Sequence, residues 1–176
     1  FTSIHASNLW GAKTSKSGLG SEAGATETLR SELRPMLDAL HVRSLLDAPC
    51  GDASWIVDAN LSGINYTGID IVEQLIDQNV AERGEFGTFC VADITRDPLP
   101  LADAILCRDS LVHLSFANIG RAIRNFKSTH AQWLITTSFP EWRQNIDCED
   151  GDWRALNLER APFNWPPPAM LLNEQC

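Results

Sequence analysis

Three aspartates each end an apolar run, and carboxylates so placed can hold the hydroxyls and amines of a bound nucleoside. Asp47 closes Leu45-Leu46, Asp70 closes Tyr66-Thr67-Gly68-Ile69, and Asp93 closes Phe89-Cys90-Val91-Ala92. A ribose offers two adjacent donors that one carboxylate accepts as a pair, and an exocyclic amine needs an acceptor beside apolar cover. After Asp47 the chain reads Ala48-Pro49-Cys50-Gly51-Asp52-Ala53. These small residues form a tight turn that lets backbone approach a ligand, in a strand–turn–helix cradle. Asp52 at the start of the next helix would discourage an anion there. As a structural residue, Asp52 reads as a helix cap.

A second group follows the fourth apolar run, in Leu106-Cys107-Arg108-Asp109-Ser110-Leu111-Val112-His113-Leu114. Asp109 is the stronger candidate for ligand contact. His113 has a side chain suited to general-base work near neutral pH; its alternative role is a packed residue that starts the next helix. In the long segment 139–168, Trp153-Arg154 and Asn157 mix aromatic, cationic and amide groups, which suits recognition of a small polar substrate. The alternative is a loop clamped by its aromatics.

The elements that must position these residues alternate. A helix is expected from Ser21 or Thr26 toward Leu40, with Leu29, Leu33, Leu37 and Leu40 on one face and a kink or break at Pro35. Strand 44–48 leads into a short helix from Ala53, and strand 65–70 into a helix over 71–83 whose inner face is Leu75, Ile76, Asn79 and Val80. Strands 88–92 and 103–107 follow, then a helix carrying Phe116, Ile119, Ile123 and Phe126, then strand 132–138. This order predicts an α/β fold, a doubly wound and mainly parallel sheet covered on both faces, with ligand beyond the carboxyl ends of the strands. Segment 139–168 holds three tryptophans and five of the nine prolines without helical or strand period, and reads as a lid or binding loop. Met170-Leu171-Leu172 is one more candidate strand.

With 176 residues, 44% apolar and 21% charged, the chain suits a single domain with a sizeable core. A net charge of -9 and the lack of any Lys/Arg run argue against a nucleic-acid partner. No stretch approaches a membrane span and none reads as a signal peptide. The five cysteines form no CxxC pair and no metal-ligand spacing, so no metal is expected and a reduced, cytoplasmic setting is.

Over 44–138 the chain resembles the class I S-adenosylmethionine-dependent methyltransferases. Their first motif, an acid followed by small residues and glycines, appears as Asp47-Ala48-Pro49-Cys50-Gly51-Asp52-Ala53, with Pro49 and Ala53 in place of two glycines. The resemblance implies a Rossmann-like fold and S-adenosylmethionine as cofactor. Asp47 would brace the turn, and the backbone of Ala48, Pro49, Cys50 and Gly51 would face the methionine end. Asp70 would hold the ribose hydroxyls and Asp93 the adenine amine, with Ile71 and Ile94 flanking the ring. Arg108 and Asp109 would contact the cofactor at the pocket edge, and Asp109 and His113 would be the catalytic residues. The N-terminal segment 1–40 would be a lid and helix bringing Trp10 over the cofactor and Arg30 to its carboxylate. Trp153, Arg154 and Asn157 would meet the substrate. Segment 169–176 would be a terminal strand where the family has an antiparallel pair, so the sheet is either shortened or cut off.

The reaction so implied is in-line methyl transfer to a small-molecule acceptor, with the oligomeric state open. Two alternatives stand beside it. One is a non-catalytic S-adenosylmethionine-binding protein. The other, more distant, is an NAD(P)-dependent reductase, which would want Gly-x-Gly-x-x-Gly after the first strand.

Overall fold

The computed structural model describes residues 1–7, 9, 11, 15 and 17–174, with backbone alone at His5 and Ala6. Its centre is a five-stranded, wholly parallel sheet: β1 (Ser44–Asp47), β2 (Asn65–Asp70), β3 (Thr88–Val91), β4 (Ala104–Cys107) and β5 (Trp133–Thr136), in the order β3-β2-β1-β4-β5. The chain winds outward from β1 to β3, then returns to place β4 on the other side of β1. That reversal sets the topological switch point at the carboxyl ends of β1 and β4, where Asp47 registers with Gly68 and Leu106.

Because helices cover both faces, the central strands are apolar without alternation. All of β4 is buried, as are Leu45, Leu46 and Asp47 of β1. Successive side chains still point to opposite faces. Leu45 joins one core cluster with Tyr66, Leu106 and the buried stripe Leu29, Leu33 and Leu37 of α2 (Glu27–Ala39). Leu46 joins the other, with Ile69, Ile105 and the face Ile119, Ala122 and Phe126 of α4 (Phe116–Ser128). A first short helix, α1, spans Thr2–Ser7, and α3 spans Glu73–Arg83. No helix among the described residues is long and apolar enough to cross a membrane.

Several expected elements differ. The helix expected from Ala53 is only a single 3-10 turn, Ile56–Asp58. Ala53 has φ +49°, and Asp52 accepts from Ser54 N at 3.1 Å instead of capping a helix. A left-handed residue cannot propagate the right-handed helix it would begin. Helix α2 runs through Pro35, which lies on its exposed face, where the carbonyl that loses its partner can meet water. Val80 of α3 is exposed rather than inward-facing. Residues 169–174 carry no strand: Leu171 is 74% exposed, and only Leu172 packs against the core. The described sheet therefore ends at β5.

Candidate functional site

The loop after β1 is held from three sides. Ala48 N donates to Leu106 O at 2.8 Å, Cys50 N to Ile69 O at 2.8 Å, and Asn79 of α3 donates through Nδ2 to Gly51 O at 2.8 Å. The Ala48–Pro49 bond is cis. Gly51 has φ +56°, and a Cβ there would stand 2.4 Å from Ser17 Oγ, so both conformation and space demand glycine. That contact belongs to the N-terminal segment: Ser17 Oγ accepts from Asp52 N at 2.8 Å, and Ser15 donates to Asp52 Oδ2 at 2.7 Å.

The two inner aspartates occupy different surroundings. Asp70, at the end of β2, accepts from Gly51 N at 3.1 Å and from Val72 N at 2.9 Å, so its carboxylate bridges its own turn and the β1 loop. Ile71 beside it is 42% exposed, an apolar side chain left at the strand end. Asp47 is buried and accepts from Tyr66 Oη at 2.8 Å. It thus grips the neighbouring strand, where the sequence suggested a brace within the turn. Burial pushes its carboxyl up to about 7, with Asp70 adding to the rise and Tyr66 and Arg108 opposing it.

Asp93 holds its own turn: Oδ1 accepts from Thr95 N at 2.8 Å and Thr95 Oγ1 at 2.6 Å, while Oδ2 pairs with Arg96 at 2.8 Å. Ile94 is buried in the second core cluster.

At the end of β4, Asp109 has φ +48°, a backbone conformation rare outside glycine. It is held there reciprocally, since Asp109 N donates to Thr137 Oγ1 and Thr137 Oγ1 donates to Asp109 Oδ1, both at 2.9 Å. Strain that neighbouring contacts enforce marks a candidate functional position. Arg108 reaches Asp109 Oδ2 at 3.0 Å and Gly20 O at 2.8 Å, and it grips both carboxylate oxygens of Glu174. A Cβ on Gly20 would stand 2.4 Å from Asp109 Oδ2, so the N-terminal segment lies directly on this acid.

His113 sits in a 3-10 turn, Leu111–His113, and so does open the approach to α4. Its Nδ1 lies 2.9 Å from Asp152 O. A carbonyl only accepts, so the proton is on Nδ1 and Nε2 is the basic nitrogen of the neutral ring. Burial lowers its pKa below the ordinary 6.5, which keeps it neutral at pH 7.

Arg30 pairs with Asp58 at 3.4 Å and donates to Ala23 O at 2.9 Å, tying α2 to the turn after β1. Trp10 lies outside the described residues. Within the long loop, two expected substrate contacts prove to be staples. Arg154 donates to the carbonyls of Leu111, Leu114 and Ile146 and lies over the Phe116 ring. Asn157 is buried, donating to Pro140 O and Trp142 O at 2.9 Å each while its Oδ1 accepts from Glu159 N. A loop without helix or strand must satisfy its buried backbone through side chains, and these two supply that. Trp153 is 59% exposed, edge-on to Phe139, and is the member of that group whose ring is presented to solvent.

Two residues of consequence carried no sequence signal. Asn145 donates to Asn157 O at 2.9 Å and Ala161 O at 2.8 Å and accepts from Asn157 N at 2.9 Å. In an aperiodic segment an asparagine looks like any surface amide. Asn145→Ala should destabilise the protein by about 2–3 kcal/mol, because it strands buried backbone groups; a melting curve indistinguishable from wild type would contradict this. Glu174 follows a short apolar run and belongs to no motif, yet it meets Arg108.

No protein-family model matches the chain, and no curated protein sequence matches it significantly. Solved structures do. Magnesium protoporphyrin IX methyltransferase from Synechocystis PCC 6803, with bound S-adenosylhomocysteine, matches at TM-score 0.57 and 19% identity over 78% of this chain and 67% of that one. The N-methyltransferase NodS from Bradyrhizobium japonicum WM9, also with S-adenosylhomocysteine, matches at 0.57 and 19% over 73% and 66%. A Pyrococcus horikoshii OT3 protein matches at 0.55 and 16% over 67% and 60%. The chain thus spans about 60–67% of the length of these structures. Its parallel sheet, strand order and flanking helices are those of the class I S-adenosylmethionine-dependent methyltransferase fold.

Proposed function

We propose that this chain binds S-adenosylmethionine across the carboxyl ends of β1, β2 and β3 and transfers its methyl group to a small-molecule acceptor. The observation that carries the reading is the Asp70 carboxylate at the end of β2, bonded to Gly51 N of the small-residue loop. It stands where an acceptor of vicinal ribose hydroxyls belongs, beside the exposed Ile71. The acids fit a ligand with a sulfonium and no phosphate: Asp47 lies within electrostatic reach of Asp70 and Arg108, and Asp109 pairs with Arg108. A dinucleotide would want an α-helix N-terminus after β1, and this chain has a 3-10 turn with Asp52 beside it. That observation disfavours the reductase.

In this reading the Ala48–Gly51 backbone meets the methionine end and Arg30 lies on the side of its carboxylate. Asp93 and Ile94, with Ile71, attend the adenine. The bound cofactor supplies an activated methyl group. The chain's own work is to align donor and acceptor and to exclude water, and alignment can lower the barrier by roughly 7–11 kcal/mol. Asp109 fixes the acceptor, and Nε2 of neutral His113 takes its proton where it has one to lose. Trp153 offers an aromatic wall. The burial of Cys50 and Cys107 as free thiols supports the reduced, cytoplasmic setting.

The test is calorimetric titration of S-adenosylmethionine, S-adenosylhomocysteine and NADH into the folded chain. The expected result is a Kd of about 1–100 μM for the first two and no heat from NADH. NADH binding without either nucleoside would overturn the proposal. Turnover with any acceptor then separates an enzyme from a non-catalytic binder.

A further inference from the structure

We propose that Asn79 of α3 is a positioning residue for the β1 loop, fixing the Gly51 carbonyl so that the loop meets the cofactor already ordered. The inference rests on the methyltransferase reading above and adds to it a residue that acts from behind the loop.

Asn79 follows Leu75 and Ile76 at helical spacing on the buried face of α3, and it is 0% exposed. An apolar side chain is what that face calls for. A carbonyl only accepts, so the amide has one orientation: Nδ2 faces Gly51 O, at 2.8 Å. Oδ1 is thereby buried with no hydrogen-bond partner among the described residues. A buried acceptor left unsatisfied lowers stability. One end of Asn79 thus weakens the fold while the other holds a glycine of the loop. A side chain that breaks the local packing rule to make such a contact marks a functional constraint.

Gly51 is where the loop is softest. Its φ of +56° is one that glycine enters and leaves at little steric cost, so a flanking peptide group can turn over unless it is bonded. Both flanking groups are bonded at each end. In the first, Cys50 O accepts from Ala53 N and Gly51 N donates to Asp70 Oδ2, both at 3.1 Å. In the second, Gly51 O accepts from Asn79 and Asp52 N donates to Ser17 Oγ, both at 2.8 Å. Among the described residues, the other contact of Gly51 O is the Cys50 thiol at 3.5 Å, a weak donor. Ser17 belongs to the N-terminal segment, so Asn79 is the tie that a helix against the sheet supplies to this peptide. A loop already held in its bound shape loses no affinity to ordering.

The test is Asn79→Leu on the whole chain, a substitution that keeps the branched outline, removes the orphaned oxygen and releases the carbonyl. Its melting temperature should equal or exceed that of wild type. Without ligand, hydrogen exchange at the Gly51 and Asp52 amides should speed up about tenfold or more, while α3 and β2 stay within about twofold. The calorimetric Kd for S-adenosylhomocysteine should rise about tenfold or more. A Kd within about twofold of wild type overturns the proposal, whatever the exchange. So does a lowered melting temperature with faster exchange throughout α3, which would make Asn79 a structural residue only. If the leucine variant does not fold, Asn79→Ala is judged by the same Kd and by whether its faster exchange is confined to the loop. Either overturning result, with the nucleoside still bound by wild type, leaves the methyltransferase reading standing; binding of no nucleoside by folded wild type overturns both.

Discussion

Asp70→Ala is expected to weaken S-adenosylmethionine binding by about 100-fold or more, the largest single loss at this site. Two effects act together. The substitution removes the acceptor for two ribose hydroxyls, and it releases Gly51 N and Val72 N, which the same carboxylate now holds at 3.1 and 2.9 Å. The β1 loop would then lose its tie to the Asp70 carboxylate while keeping those of Cys50 N to Ile69 O in β2 and of Gly51 O to Asn79. Asp70→Asn separates the two effects, since its amide oxygen can still accept one bond but brings no charge. Calorimetry on folded variants is the measurement. Binding by Asp70→Ala within about threefold of wild type would remove Asp70 from the site.

The second large effect is on stability. Asp47→Asn should become progressively more stable relative to wild type as pH rises from about 4 to about 7, by up to ~4 kcal/mol. Burial lifts the folded carboxyl from an ordinary 3.8 to about 7. Between those values the folded protein keeps a proton that the unfolded chain has released, so folding binds protons there. The stabilisation belonging to this group is complete below about pH 4, falls as pH rises toward 7, and stays lost above. An asparagine remains neutral throughout and can still accept the Tyr66 hydroxyl bond. Paired melting curves at pH 5 and pH 8 measure the change; a constant difference between the two proteins would show that Asp47 does not titrate late.

Much of the architecture was legible because it follows from local periodicity. Leu29, Leu33 and Leu37 repeat at four-residue spacing and are buried together, and apolar runs alternating with amphipathic helices made a parallel sheet. Asp70 and Asp109 were identifiable for the same reason, as polar residues that terminate buried strands. What failed were segments whose conformation depends on contacts distant in sequence. The turn after Asp52 looked helical by pattern, but Ala53 is left-handed and the N-terminal serines hold Asp52. Arg154 and Asn157 have compositions equally suited to a ligand or to backbone carbonyls, and the long loop supplies the carbonyls.

By itself, the sequence determined the fold class, the strand ends at which a ligand would lie, and the acidic character of that edge. Side-chain period and strand-terminal residues encode these within a few neighbours. Only the tertiary structure decided the partners of each charge. Asp47 turned from a brace within the turn into a buried acid on Tyr66, Arg108 became the holder of two carboxylates, and Glu174 came to it from beyond the last strand. Charge pairing depends on distance in space, and no spacing along the chain records which residues folding brings within 3 Å of one another.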